Sequence, residues 1–229
     1  MAHYPVFLDL RERPCVVLGG CGMAEEKVKG LLAAGARVMV IAPTLTPALQ
    51  ELAAEGRILH RAREYRPGDL EGAALAISTD RTPEVAAAVW QEARDHNILL
   101  NTVDDVPHCN FIAPAIVRRG DLSIAISTGG KAPVLAVRLR QRLEQEVGEE
   151  HARFLALAGA AREPLAHRQP DFATRRELWY RLVDSDVLDL LRQGDETAAL
   201  GRFEEILGVR PAEAAGVEQR TFNPRLQSS

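Results

Sequence analysis

Two hydrophobic rhythms alternate over the first hundred residues. Short, nearly unbroken apolar runs, such as Cys15-Val16-Val17-Leu18 and Val38-Met39-Val40-Ile41, read as strands buried on both faces, the mark of a parallel sheet. Between them come stretches with a helical period. Val28, Leu31 and Leu32 form one apolar stripe, while Glu25, Glu26, Lys27 and Lys29 fall mostly outside it. Gly35 is placed to stop that helix. The pattern predicts strands over 14–18, 36–42, 57–61, 73–78 and 98–102, and helices over 23–34, 45–54 and 83–96. Strands and helices alternating with short joins predict a doubly wound, Rossmann-like α/β domain over residues 1–113.

The rhythm then changes. Leu122, Ile124 and Ile126 alternate with smaller residues, which predicts a strand over 121–127 with one covered face. Thr128-Gly129-Gly130 reads as a turn, and Pro133 can open a helix running to about Gly148. Residues 114–149 thus form a small α+β region. Only helical signals follow over 150–208, enough for three or four helices in a C-terminal helical domain. The chain turns polar after Pro211, and 209–229 is expected to be a flexible tail.

Composition narrows the partners. The net charge of −4 argues against broad nucleic-acid binding, which needs a basic surface, although a local basic pocket remains compatible with it. No apolar run approaches the roughly 18 residues of a membrane span, so no membrane association is expected. The N-terminal "MAHYPVFLDL" has no basic region followed by an apolar one, as a signal peptide would. Cys15, Cys21 and Cys109 are too few and too scattered for a disulfide framework. A reducing, cytoplasmic setting fits. His108 and Cys109 are adjacent and lack further ligands at zinc spacing, so no metal site is expected.

The first strand runs into Gly19-Gly20-Cys21-Gly22 and then a helix. A dinucleotide's pyrophosphate is held by helix N-terminal N–H groups, and glycines let the backbone approach it closely. Aligned on Gly19, the turn reads Gly19-x-Cys21-x-x-Ala24; aligned on Gly20, it reads Gly20-x-Gly22-x-x-Glu25 and sets a long acid at the packing position. The first register is physically better, because Ala24 can face the sheet. It leaves Cys21 near the pyrophosphate. A tight turn that binds nothing and a flavin site are the competing readings, and Cys21 is either a tolerated small residue or a reactive thiol at a helix start. The second strand ends in Ile41-Ala42-Pro43-Thr44, with neither an acid for a ribose nor an arginine for a 2′-phosphate, so NAD and NADP both stay open.

Polar residues gather at the ends of later strands: Ser78-Thr79-Asp80, and Asn101-Thr102-Val103-Asp104-Asp105. Ligands of open α/β sheets lie beyond those ends, and a carboxylate there can move a proton. Turn capping is the bland alternative. Thr128-Gly129-Gly130-Lys131, with Arg118, Arg119 and Arg138 near in sequence, offers an anion site or else a solvated turn.

Taken together, "YPVFLDLRERPCVVLGG", "NTVDDVPHCNFIAPAIVRRGDLSIAISTGG" and "KAPVLAVRLRQRLE" resemble, in order and spacing, the precorrin-2 dehydrogenase/sirohydrochlorin ferrochelatase family, the NAD-using module of sirohaem synthases. The resemblance is strong over residues 3–145 and loose beyond. It implies NAD-dependent oxidation of precorrin-2 to sirohydrochlorin, with metal insertion in some members, by a homodimer whose interface lies in residues 114–149. It implies a catalytic Asp104. Cofactor contacts would come from Gly19, Gly20, Cys21, Gly22, Met23 and Ala24 in the first turn. Pro43, Thr44, Thr79, Asp80, Asn101 and Val103 would supply the rest. Substrate contacts would come from Asn110, Arg118, Arg119, Thr128, Gly129, Lys131 and Arg138. Three departures stand out: Cys21 replaces a usual third glycine, Glu26 a usual arginine, and the usual "DDP" reads Asp104-Asp105-Val106-Pro107. An unrelated NAD oxidoreductase and a non-catalytic nucleotide or tetrapyrrole sensor are the rival readings.

Overall fold

The computed structural model describes residues 3–80 and 82–211; most of the expected tail, 212–229, lies outside the described residues. The chain divides into two compact units, Met1–Ala113 and Pro114–Ser229.

In the first unit, strands β1 (Pro14–Leu18), β2 (Arg37–Ile41), β3 (Ile58–Arg61), β4 (Leu75–Ser78) and β5 (Leu99–Thr102) form one sheet. Its order is β3-β2-β1-β4-β5 and every pairing is parallel. The helices are α1 (Gly22–Ala33), α2 (Pro47–Ala54) and α3 (Pro83–Asp95). The apolar runs are unbroken because both sheet faces are covered. Cys15 and Val17 of β1 join one core with Ala24, Val28 and Leu31 of α1 and Leu49 of α2. Val16 and Leu18 join another with Val89 and Ala93 of α3. Boundaries differ from the sequence expectation by a residue or two at most ends. Residues 45 and 46 are not helical: Thr46 caps α2 by accepting from Leu49 N–H, and Pro47 takes the first helical position.

Buried acids tie down the segment between β3 and β4. Asp69, 5% exposed, accepts from Arg61, Arg63 and the Arg66 N–H. Glu92, 8% exposed, accepts from the Tyr65 hydroxyl and, at 2.7 Å, from the Leu70 N–H.

The second unit opens with an antiparallel hairpin, β6 (Ala115–Arg119) and β7 (Leu122–Ile126). The expectation of a single strand over 121–127 missed β6, which ends in two arginines and so reads as surface. The hairpin turns on Gly120 and Asp121, with Gly120 at φ 53°, a two-residue loop of the type glycine favours. Helix α4 (Pro133–Glu146) packs on the hairpin. Four helices follow: α5 (Glu149–Arg168), α6 (Phe172–Val183), α7 (Val187–Arg192) and α8 (Glu196–Leu207). Leu157, Ala161 and Leu165 recur every fourth residue of α5 and meet Leu182, Leu191, Leu200 and Phe203 in one core. The architecture is a Rossmann-like parallel sheet, a small α+β region and a C-terminal helical bundle. None of the described helices is long and apolar enough to cross a membrane.

Phe203 is fully buried with its ring 5.7 Å from that of Phe154. Phe203→Ala is expected to destabilise the helical unit by about 3–5 kcal/mol, through lost transfer energy and a residual cavity. Urea denaturation followed by far-UV circular dichroism measures it.

Candidate active site at the carboxyl edge of the sheet

The crossover after β1 runs to β2 on one side, and the chain returns from β3 to β4 on the other, so the strand order reverses at β1 and its carboxyl end opens a crevice of the kind in which such sheets bind ligands. Strand pairing continues one step past the regular ends. Gly19 N–H donates to Ile41 O (2.9 Å), Thr79 N–H to Leu18 O (2.8 Å), Val103 N–H to Ser78 O (2.9 Å) and Ala42 N–H to Arg61 O (3.2 Å). Ala42, Gly19, Thr79 and Val103 therefore form a row across the sheet's edge. Gly20 follows this row at the end of β1 and Asp104 at the end of β5, so both leave the same carboxyl edge, from strands two spacings or about 10 Å apart.

The two leading glycines have different reasons from the third. Gly19 adopts φ 106°, and a Cβ there would lie 2.1 Å from Thr79 Oγ1. At Gly20 a Cβ would lie 2.0 Å from the Thr44 carbonyl oxygen. Both positions are filled by the protein itself. A Cβ on Gly22 would meet nothing within 4 Å, so that position of α1 is open where Ala24, two residues on, is buried. Ala24 is fully buried in the core and Glu25 is not, which matches the register aligned on Gly19. A helix N-terminus with an open position at its start, reached by glycine backbone, fits a pyrophosphate.

Cys21 is the N-cap of α1 and is exposed, with its Sγ 3.8 Å from Thr79 Oγ1. Partial burial pushes its thiol pKa up, but N–H groups of Ala24 and Met23 and the Thr79 hydroxyl outweigh that, and the net direction is down. The other thiols go the opposite way: burial pushes Cys15 up to about 11, and burial also raises Cys109.

Asp104 is exposed and adopts φ 60°, a left-handed conformation that aspartate tolerates better than most residues but that needs support from its surroundings. The support comes from residues just beyond it. Cys109 Sγ accepts from Thr102 N–H (3.2 Å) and lies 3.2 Å from the carbonyls of Thr102 and Asp105. Asn101 Nδ2 donates to the Phe111 carbonyl (3.1 Å). Asp105 Oδ2 holds His108 Nδ1 at 2.7 Å. The expectation that Asn110 contacts substrate meets a side chain already engaged: its Oδ1 accepts from Leu100 N–H (2.7 Å) and its Nδ2 donates to Ile98 O (2.8 Å). Nothing in the sequence pattern marked Cys109 or Asn110 as loop staples.

The remaining expected residues lie in the second unit. Arg118 and Arg119 point to opposite faces of β6, as adjacent strand residues must. Arg119 donates to the Glu144 carbonyl (3.0 Å) and lies 3.5 Å from Glu149; Arg118 is exposed. Thr128 Oγ1 accepts from Ala132 N–H (3.3 Å), and Gly129 and Gly130 have φ 61° and 77° with open space where a Cβ would stand. Lys131 is exposed, and Arg138 is exposed on α4 beside Gln141. Among the described residues no group of three or more histidine, cysteine or acidic side chains is placed to hold a metal. One hollow that the sequence reading did not find lies past β2, lined by Pro43, Thr44, Leu45, Gln50, Ala53 and His60.

Gly20→Ala is expected to destabilise the fold by about 1–3 kcal/mol, because a backbone carbonyl stands in the way, whereas Gly22→Ala should stay within about 0.5 kcal/mol of the parent. Thermal melts of the two variants decide this. For the thiols, iodoacetamide should modify Cys21 first, at a rate rising with pH through a midpoint below the ordinary thiol value of about 8.5. Peptide mapping that found Cys15 or Cys109 modified first would contradict the assignment.

The comparisons with known proteins follow the same division of the chain. An NAD(P)-binding family model matches residues 6–115, a model described as sirohaem biosynthesis protein central matches 119–146, and one described as sirohaem synthase dimerisation region matches 150–207. The dimerisation model thus falls on the helical bundle, whereas the sequence reading put the interface at 114–149. The sirohaem synthase of Chromobacterium violaceum is 37% identical over 94% of this chain and 46% of its own length. That of Photobacterium profundum is 39% identical over 87% of this chain and 42% of its own. The chain spans less than half the length of these relatives. A solved structure of SirC, precorrin-2 dehydrogenase, superposes with a TM-score of 0.72 at 27% identity, covering 89% of this chain and 100% of that one. With three consecutive matches from residue 6 to residue 207, the chain belongs to the sirohaem synthase/precorrin-2 dehydrogenase family.

Proposed function

We propose that the chain is an NAD-dependent dehydrogenase that oxidises precorrin-2 to sirohydrochlorin. The observation that carries this is the edge geometry: a glycine turn entering a helix at the end of β1, and Asp104 leaving the same edge two strands away, at the end of β5. Gly19 and Gly20 bring the backbone in close, and the first N–H groups of α1 receive the pyrophosphate. Thr79 and Val103 stand in the ladder row between that turn and β5, while the Asn101 amide is given to the Phe111 carbonyl. NAD, when bound, supplies the hydride acceptor. The substrate must lose a hydride and a proton together, and the Asp104 carboxylate takes the proton. Bonds from Cys109 and Asn101 hold the loop in which Asp104 takes its left-handed backbone conformation.

The second unit serves the substrate. Precorrin-2 carries many carboxylates, and Arg118, Lys131 and Arg138 are exposed cations that suit them despite the chain's net negative charge. The Thr128-Gly129-Gly130 turn offers backbone close by. The same reading makes the protein a homodimer. Helix α4 leaves Val134, Leu135, Val137 and Leu139 uncovered, an apolar surface that a partner subunit would bury.

Anaerobic incubation with precorrin-2 and NAD should yield NADH and the sirohydrochlorin spectrum. Asp104→Asn, which keeps the tolerance of a left-handed backbone, is expected to lower kcat by at least about 100-fold while NAD affinity and melting temperature hold. Turnover at the parental rate in that variant would remove Asp104 from the chemistry. Binding of both ligands without turnover by the parent chain would instead favour the sensor reading.

A further inference from the structure

Two turns meet at Asp105, just past Asp104. Asp105 N–H donates to the Thr102 carbonyl at 3.2 Å and closes the turn that holds Asp104. The Asp105 carbonyl accepts from His108 N–H at 3.1 Å and closes the next, the short turn Val106–His108. Asp104 and His108 therefore stand on consecutive turns. Their Cα atoms are at most about 11 Å apart, a span that two side chains and one water can bridge.

The Asp105 side chain turns back onto His108. Its Oδ2 lies 2.7 Å from His108 Nδ1; a carboxylate can only accept, so Nδ1 carries the hydrogen and Nε2 of the neutral ring is the basic nitrogen. Among the described residues Nε2 has no hydrogen-bond partner. The plane of the ring is held as well. It stands T-shaped to Trp90 of α3, 6.2 Å between centroids, and Arg94 lies over the same Trp90 ring at 5.9 Å. Both members of the pair keep 31% of their side-chain surface exposed, so solvent reaches them. Cys109 and Asn101 already brace this loop. A carboxylate that sets an imidazole's tautomer and plane, and leaves the other nitrogen open to water, is an arrangement for carrying protons.

We propose that Asp105 and His108 form a proton relay, in which His108 Nε2 takes from Asp104, directly or through one water, the proton each oxidation leaves there. The inference rests on the dehydrogenase reading above and adds the step that makes the site ready for another turnover. Per turnover one hydride, with its electron pair, leaves the substrate for the nicotinamide. One proton leaves a second bond for Asp104, and that bond's electron pair becomes the new double bond. The proton then moves to Nε2, and the Asp105 carboxylate holds the imidazolium so formed. Release to water returns the neutral ring and the Asp104 carboxylate.

The relay acts after the hydride has moved, so first-turnover and steady-state rates separate it from Asp104. His108→Gln and Asp105→Asn are assayed anaerobically with precorrin-2 and NAD in dilute buffer free of imidazole. In both, NADH should form in the first turnover within about twofold of the parent's rate, while steady-state kcat falls at least about tenfold. Free imidazole, a proton carrier from solution, should then raise kcat in both variants and leave the parent unchanged. Parental kcat in both variants overturns the relay. So does a loss that imidazole does not reverse, or a first turnover slowed as much as the steady state, because either marks the pair as a structural brace. A parent chain that forms no NADH from precorrin-2 overturns the dehydrogenase reading itself and the relay with it, which keeps that failure distinct from the others.

Discussion

Contact between two glycines and the strands on either side of them sets the terms for this molecule. Gly19 lies against the Thr79 hydroxyl and Gly20 against the Thr44 carbonyl, each at a distance that no Cβ could share. The turn leaving β1 is therefore pinned between the ends of β2 and β4. Helix α1 must start at that point, with Ala24 tucked under it and its first N–H groups facing outward. The Thr79 hydroxyl also donates to Leu18 O at 2.9 Å, so the residue that forbids a side chain at Gly19 also holds the end of β1. If that contact opened, the position of the helix start relative to the sheet edge would be lost.

From that pin the edge of the sheet is laid out by hydrogen bonds alone. Each strand end adds one more ladder bond, and the residues that follow fall into rows whose order the topology dictates. This brings Asp104 and the start of α1 to the same edge of the sheet. Rigid strands hold the spacing, while the loops supply the chemistry. Asp104 is the exception, a side chain on a strained backbone, and the loop around it is correspondingly dense in side-chain bonds.

Much of the first unit was legible in the amino-acid order. Runs like Val16-Val17-Leu18 are apolar because α1 and α2 cover one sheet face and α3 the other, and that two-sided burial is visible as a pattern. The glycine register was legible too, since only one alignment puts a small residue, Ala24, at the packing position. What the pattern did not carry was polar pairing at long range. Asn110 reads as a ligand because amides bind ligands, yet here it completes a strand. Cys109 reads as an ordinary buried thiol, yet here it staples the loop that carries Asp104. His60 belongs to no ligand set along the chain and reaches the Ala42 carbonyl only because β3 lies beside the end of β2. The hairpin strand β6 was hidden by Arg118 and Arg119, whose charges mask an alternation that shows only once Val117 is seen to be buried.

The engagement of Asn110 also bears on how copies of the chain can meet. Strand β5 lies at the rim of the sheet, where unpaired backbone would ordinarily invite another strand to add on. The Asn110 amide fills that vacancy at Leu100 N–H and Ile98 O, as a neighbouring strand would. Sheet-to-sheet extension along that rim is closed off, so self-association has to use other surfaces of the chain. Replacing one asparagine would reopen a sticky border and with it a route to disordered aggregation.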